Sequence, residues 1–126
     1  MSHIIYDIYF EKRENITYES KYGTQLIENL VKLNNHKLLS EPVIYQFPCP
    51  KLNKNVNNND CNYNGYTGFG VLMESHISIH TYPEKNKISI DIYSCKMMDL
   101  QKNLNFIQQY FKNTKHKIFY NFLIRN

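Results

Sequence analysis

The chain has no tryptophan and no alanine, and it is poor in the residues that brace or interrupt small folds. It contains four glycines, four prolines and three cysteines among its 126 residues. The cysteines are an odd number with no CxxC pair, which fits neither a disulfide framework nor a zinc knuckle. Reduced thiols are therefore expected, without a bound structural metal.

Long apolar runs and runs of one charge are missing as well. No stretch is apolar for long enough to span a bilayer, and the N-terminal residues become charged before the core of a signal peptide could form. The net charge is +4, yet lysine and arginine are spread along the chain instead of forming a basic arm. These features predict a soluble, cytoplasmic protein with no nucleic-acid or membrane partner.

The order of strands and helices predicts one α+β domain covering residues 1–126. β-branched and aromatic residues predict strands over 3–10, 41–47 and 116–124. Helical spacing of apolar residues predicts helices over 23–35, with Thr24 as a possible N-cap, and over 97–113. An asparagine-rich stretch over 51–68 predicts a long surface loop. This order of strands and helices predicts an antiparallel sheet with helices on one face.

A short stretch from Gly68 to Cys95 collects reactive side chains on what the pattern predicts to be one β-hairpin. If its turn is centred on Lys85, Ser75 lies directly opposite Cys95, with Cβ atoms about 5 Å apart. His80 is five strand residues beyond Ser75, which places it roughly 16 Å away and on the opposite face of the sheet. If Ser75 and His80 cooperate, His80 must come from a second chain, as in a two-fold dimer.

Two other interpretations of the hairpin are weaker. The sequence HISIH spaces His76 and His80 as a helical zinc motif does, but on a strand they lie about 13 Å apart and cannot share an ion. A conventional serine or cysteine hydrolase lacks support because no GxSxG elbow precedes Ser75. Neither a metal nor a triad is therefore expected.

The stretch ESHISIHTYPE, followed by IDIYSC, resembles the signature of the short prokaryotic-type S-adenosylmethionine decarboxylases, a pyruvoyl-dependent family. Tyr82 stands where that family usually has tryptophan, and Thr67 in GYTG stands where it has serine. The asparagine-rich loop is longer than usual for the family. The resemblance implies a decarboxylase that makes the aminopropyl donor for spermidine biosynthesis.

The resemblance also implies that the proenzyme cuts itself between Glu74 and Ser75, giving fragments 1–74 and 75–126. Ser75 would become a pyruvoyl group, the covalent cofactor that forms a Schiff base with the substrate amine. Thr67 and His80 would come from the partner subunit and would hold the intermediate and transfer protons during processing.

The remaining site residues implied by the resemblance concern turnover. Cys95 would return a proton to the substrate α-carbon, and Glu84 would accept hydrogen bonds from the ribose hydroxyls. Phe10 and Phe47 are candidates for stacking on adenine. The dimer is expected to place two sheets face to face with helices outside, as a four-layer αββα sandwich.

Two alternatives remain open at this point. A sister pyruvoyl enzyme could share the self-cleavage and decarboxylate ornithine or arginine, although the presence of Glu84 favours S-adenosylmethionine. An uncleaved homologue could instead bind and regulate an active partner.

Overall fold

A computed structural model describes residues 1–12, 18–47 and 65–125. The predicted loop over 51–68 therefore lies largely outside the described residues. The elements in chain order are β1 (Ser2–Phe10), α1 (Ser20–Leu33), β2 (Val43–Gln46), β3 (Tyr66–Leu72), β4 (Ser75–Tyr82), β5 (Lys87–Ser94), α2 (Leu100–Tyr110) and β6 (His116–Ile124).

The six strands form one antiparallel sheet in the order β2-β3-β4-β5-β1-β6. Side chains alternate across it, so the isoleucines of β4 and β5 are buried on one face while their neighbours are partly exposed on the other. Leu26, Ile27 and Leu30 of α1 and Ile107 of α2 are buried in the same core. The predicted antiparallel sheet with helices on one face is confirmed.

The two helices are joined at their ends by a pair of amide side chains. Asn34 Nδ2 donates to Asn103 Oδ1 at 3.0 Å, and Asn103 Nδ2 donates back to Asn34 Oδ1 at 2.8 Å. Asn103 is fully buried, and the reciprocal bonds satisfy a polar group that would otherwise destabilise the core.

In the part of the chain that the structure describes, neither helix is long and apolar enough to cross a membrane.

Three details of the sequence prediction are wrong. The stretch from Gly68 to Cys95 belongs to three strands, because a two-residue turn at Met73 and Glu74 separates β3 from β4. Helix α1 begins at Ser20 with Glu19 at its N-cap, so Thr24 lies inside the helix.

The third correction concerns register. A 3₁₀ turn over Pro83–Lys85 and a left-handed Asn86 (φ 51°) make a four-residue connection, so Tyr82 pairs with Lys87. The centre of the turn therefore falls between Glu84 and Lys85, half a residue from the expected position. Ser75 consequently faces Ser94, and Cys95 faces Glu74.

Candidate active site

The bond between Glu74 and Ser75 lies at the point where β3 turns into β4. Ser75 has φ 148°, a region that a side chain with a Cβ rarely occupies, so the backbone here is strained. The carbonyl oxygen of Glu74 accepts a hydrogen bond from the backbone N–H of Cys95 at 2.8 Å. The sequence-predicted cleavage bond thus combines a strained residue with a polarised carbonyl.

The turn is held in place by the segment that follows α1. The backbone N–H of Lys37 donates to Glu74 Oε1 at 2.8 Å, and the N–H of Met73 donates to the Lys37 carbonyl at 2.8 Å. Lys96 Nζ lies 3.6 Å from Glu74 Oε2. The Lys37 hydrogen bond is the main cause that lowers the pKa of Glu74, which therefore remains a buried carboxylate.

Cys95 is an exposed free thiol immediately after β5. The backbone N–H of Cys95 donates to the Glu74 carbonyl, so Cys95 lies opposite the residue that precedes Ser75. The structure therefore brings Glu74, Ser75 and Cys95 together, although the register differs by one residue from the sequence prediction.

Thr67 and His80 form a second group further along the sheet. They are directly paired on β3 and β4, on the face opposite the helices, which we call the open face. The ring of His80 lies 5.1 Å from Phe47 and 4.6 Å from Tyr82, measured between centroids. A depression of about 310 Å³ lies here. Its lining includes Thr67, His80, Tyr82, Ser89 and Asp91.

The electrostatics of His80 favour the neutral imidazole. Burial lowers its pKa, while the carboxylate of Glu84 acts in the opposite direction. Glu84 itself is exposed in the 3₁₀ turn that follows β4. His80 and Glu84 thus lie at the same end of β4, whereas Ser75 lies at the other end.

One predicted side chain, Phe10, and one residue of the metal alternative, His76, are placed elsewhere. Phe10 is 5% exposed and packs in the helix-side core with its ring centroid 5.0 Å from Phe111, so it offers little surface to a substrate. His76 stacks between Phe69 and Tyr93 at 5.6 Å from each. It has different aromatic neighbours from His80, as expected for residues four positions apart on a strand.

Two polar residues near the cleavage bond were given no role in the sequence analysis. His36 follows α1 without any motif, and Ser94 lies within the IDIYSC stretch but was not singled out. In the structure their side chains are 2.9 Å apart, and Ser94 faces Ser75. Only the tertiary pairing reveals them.

The strained Ser75 with the adjacent thiol of Cys95, and the imidazole of His80 on the open face, are the candidate site features of this antiparallel α+β fold. The structure resembles the crystal structure of the adenosylmethionine decarboxylase from Aquifex aeolicus VF5, with a TM-score of 0.67 and 28% identity over 98% of this chain and 88% of that one. The S-adenosylmethionine decarboxylase family model matches residues 2–122. The chain belongs to the S-adenosylmethionine decarboxylase family.

Curated relatives share the name S-adenosylmethionine decarboxylase proenzyme. The protein from Sulfurihydrogenibium sp. is 37% identical over 96 residues, which are 74% of this chain and 58% of that protein. The protein from Pyrococcus abyssi is 41% identical over 49 residues, which are 38% of this chain and 35% of that protein. The matched segments thus cover about a third to somewhat over half of these relatives' lengths.

Proposed function

We propose that this protein is a proenzyme that cuts itself between Glu74 and Ser75 and then decarboxylates S-adenosylmethionine. The observation that carries the proposal is the strained Ser75 directly after a carbonyl that Cys95 polarises. Membership of the family and the fold support the same activity. Cleavage would divide the single domain into fragments 1–74 and 75–126.

Processing would use atoms that the turn already brings together. The Ser75 hydroxyl oxygen attacks the Glu74 carbonyl carbon, the peptide C–N bond breaks, and an ester replaces the amide. Loss of the Ser75 α-proton then expels the Glu74 carboxylate and leaves dehydroalanine. Water replaces its nitrogen, ammonia departs, and residue 75 becomes an N-terminal pyruvoyl group.

The residues around position 75 fit such a group. Cys95 supplies a thiol beside it, and the paired Ser94 leaves a small side chain opposite. When present, the pyruvoyl ketone would supply an electron sink for the electron pair left on the substrate α-carbon as carbon dioxide departs, as pyridoxal phosphate does in other enzymes. Cys95 would then deliver a proton to the substrate α-carbon.

The group on the open face would bind the nucleoside and assist processing. The neutral His80 can accept a proton near pH 7, and the Thr67 hydroxyl beside it can donate a hydrogen bond to the oxyanion. Phe47, in ring contact with His80, would stack on adenine, and the exposed Glu84 would bind the ribose hydroxyls.

The same geometry supports a homodimer with shared sites. Ser75 and His80 are separated by five residues on one strand, roughly 16 Å, so the pair cannot meet within a chain. The open face also carries large apolar side chains that are 39% to 67% exposed: Tyr9, Val43, Tyr45, Phe69, Val71, Phe119 and Leu123. A second copy would cover this face and give a four-layer αββα sandwich.

Mixing two inactive variants tests the shared site. We expect neither Ser75→Ala nor His80→Ala chains to be processed normally on their own. In a mixed dimer the intact Ser75 of one chain meets the intact His80 of the other, so the His80→Ala chain should regain cleavage. Denaturing electrophoresis of chains with different tags measures which one is cut.

The matched control replaces the Ser75→Ala partner by a chain carrying both Ser75→Ala and His80→Ala. This partner cannot supply an imidazole, so no cleavage should return. If the single-variant partner restores no cleavage in a verified heterodimer, the shared-site model is wrong.

Substrate choice is tested through Glu84. Glu84→Gln should raise the KM for S-adenosylmethionine, because a charge-assisted hydrogen bond to ribose is worth about 1 to 3 kcal/mol. Carboxyl-labelled S-adenosylmethionine, ornithine and arginine are offered separately, and released carbon dioxide is counted. Glu28→Gln, on the exposed side of α1, is the control and should leave KM unchanged.

Turnover of ornithine or arginine alone, with no effect of Glu84→Gln, would favour the sister-enzyme alternative. The expected outcome is turnover of S-adenosylmethionine alone.

A further inference from the structure

His36 is held beside the cleavage site by the end of helix α1. Asn35 adopts a left-handed conformation (φ 54°), and its N–H donates to the Lys32 carbonyl at 3.2 Å. The N–H of His36 donates to the Val31 carbonyl at 2.9 Å. These two bonds form a Schellman motif, which fixes the direction in which the chain leaves the helix. His36 is consequently buried instead of lying on a mobile surface loop.

The buried imidazole contacts a hydroxyl. His36 Nε2 lies 2.9 Å from Ser94 Oγ. Burial is the main cause that lowers the pKa of His36, and the nearby Lys96 ammonium adds to it against the opposing Glu74 carboxylate. A neutral ring leaves one nitrogen as an acceptor, so Ser94 can donate its hydroxyl proton to Nε2.

The other ring nitrogen of His36, Nδ1, makes no hydrogen bond with the described residues that would stabilise the fold. His36 Nδ1 is buried and has no hydrogen-bond partner among the described residues. An unpartnered buried polar atom disfavours folding, so a histidine chosen only for packing would be a poor choice here. The contact of His36 with Ser94 therefore points to a functional role for this histidine.

Among the described residues, one of the two acceptor sites on Ser94 Oγ is unfilled. The backbone N–H of Lys96 donates to Ser94 Oγ at 3.0 Å and occupies one of its two acceptor sites. Ser94 is directly paired with Ser75, and side chains so paired have Cβ atoms about 5 Å apart on one side of a sheet. A Ser75 hydroxyl turned toward Ser94 would fill the second acceptor site.

We propose that His36, acting through Ser94, is the base that removes the hydroxyl proton of Ser75 in the first step of self-cleavage. This inference rests on the proposed self-processing function. The Ser75 proton passes to Ser94 Oγ while the Ser94 proton passes to His36 Nε2. The Ser75 oxygen forms its bond to the Glu74 carbonyl carbon, the C–N bond breaks, and the proton returns from His36 to the freed Ser75 nitrogen.

In this proposal, two histidines transfer protons in different steps of processing. His36 lies at the Ser75 end of the sheet in the same chain, whereas His80 lies on the open face and would be the partner's. The relay is needed before the ester exists, because it removes the hydroxyl proton. The later removal of the Ser75 α-proton is left to the imidazole of the partner.

The first test measures the rate of self-cleavage of freshly purified chains on denaturing gels. His36→Asn and Ser94→Ala should each slow cleavage by about a hundredfold, the usual loss when a positioned base is removed. The double variant should be no slower than either single variant, because the two residues act as one unit. Ser94→Thr keeps the hydroxyl and should stay near the wild-type rate.

The second test distinguishes a relay from a structural role. The wild-type cleavage rate should fall as the pH is lowered, with an inflection below the ordinary histidine value of 6.5, because protonated His36 cannot act as a base. His36→Asn should lack this inflection. Hydroxylamine, which cuts esters, should release little of fragment 75–126 from His36→Asn, because that variant forms the ester about a hundredfold more slowly than the wild type.

The control is His116→Asn at the start of β6, a partly buried histidine whose Nδ1 lies 2.7 Å from the Thr114 carbonyl oxygen. It should be cleaved at the wild-type rate. If His36→Asn does not fold by circular dichroism, Ser94→Ala decides alone, because it removes only one oxygen. Folded variants cleaved at the wild-type rate would overturn the relay, whereas an uncleaved wild-type chain would overturn the proposed function itself.

Discussion

Ser75→Ala is expected to abolish both self-cleavage and decarboxylation. The substitution removes the oxygen that, in the proposed mechanism, attacks the Glu74 carbonyl from the strained position, and without cleavage no pyruvoyl group forms at residue 75. The loss should be complete within detection, because no other side chain can replace the new N-terminus. Denaturing electrophoresis and release of labelled carbon dioxide measure the two effects.

The control for Ser75→Ala is Ser40→Ala, at an exposed serine between α1 and β2. This variant should be cut and should decarboxylate as the wild type does. Processing of Ser75→Ala at the same bond would contradict the proposed chemistry.

Cys95→Ser is expected to separate processing from turnover. The backbone N–H at position 95 still donates to the Glu74 carbonyl, so the chain should still be cut. A serine hydroxyl is a far weaker acid than a thiol, so the cut enzyme should decarboxylate S-adenosylmethionine about a hundredfold more slowly. Stopped assays on fully cut protein, normalised to its pyruvoyl content, measure this rate.

The contrary result for Cys95→Ser is equally clear. Full decarboxylation by the cut variant would remove Cys95 from the role of proton donor. Failure to cut in a folded protein would assign the thiol to processing instead.

The sheet could be predicted from residue patterns because its strands alternate clearly. The last strand was predicted over 116–124, which are the bounds of β6, and the alternation around Ile77 and Ile79 correctly predicted a strand for that segment, which is part of β4. The break between β3 and β4 was missed because Met73 and Glu74 carry no glycine, proline or asparagine signal. That turn is stabilised by hydrogen bonds to Lys37, a contact distant in sequence.

The candidate site was predictable where it is local and not where it depends on tertiary packing. Ser75, His80 and Cys95 lie in one continuous stretch, and strand spacing alone separated Ser75 from His80. The opposition of residues depends on the four-residue connection between Tyr82 and Lys87, in which Asn86 is left-handed. His36 lies 58 positions from Ser94, so no spacing rule could join them.

The predicted stacking of Phe10 on adenine is a case in which a local sequence pattern is ambiguous. An aromatic residue at the end of a strand has the same sequence pattern whether it binds a ligand or packs in a core. Its alternation with Ile4, Tyr6 and Ile8 places Phe10 on the helix side. Phe47, which follows β2, lies instead beside His80.

The central claim is that this chain makes its own cofactor, and intact mass spectrometry of the purified wild-type protein tests it most directly. After incubation, the account predicts two fragments, 1–74 and 75–126, whose masses sum to that of the chain plus one water minus one ammonia. The smaller fragment should also resist Edman degradation because it begins with a ketone. A single mass equal to the uncut chain after prolonged incubation, or a fragment that begins with an ordinary serine, would contradict it.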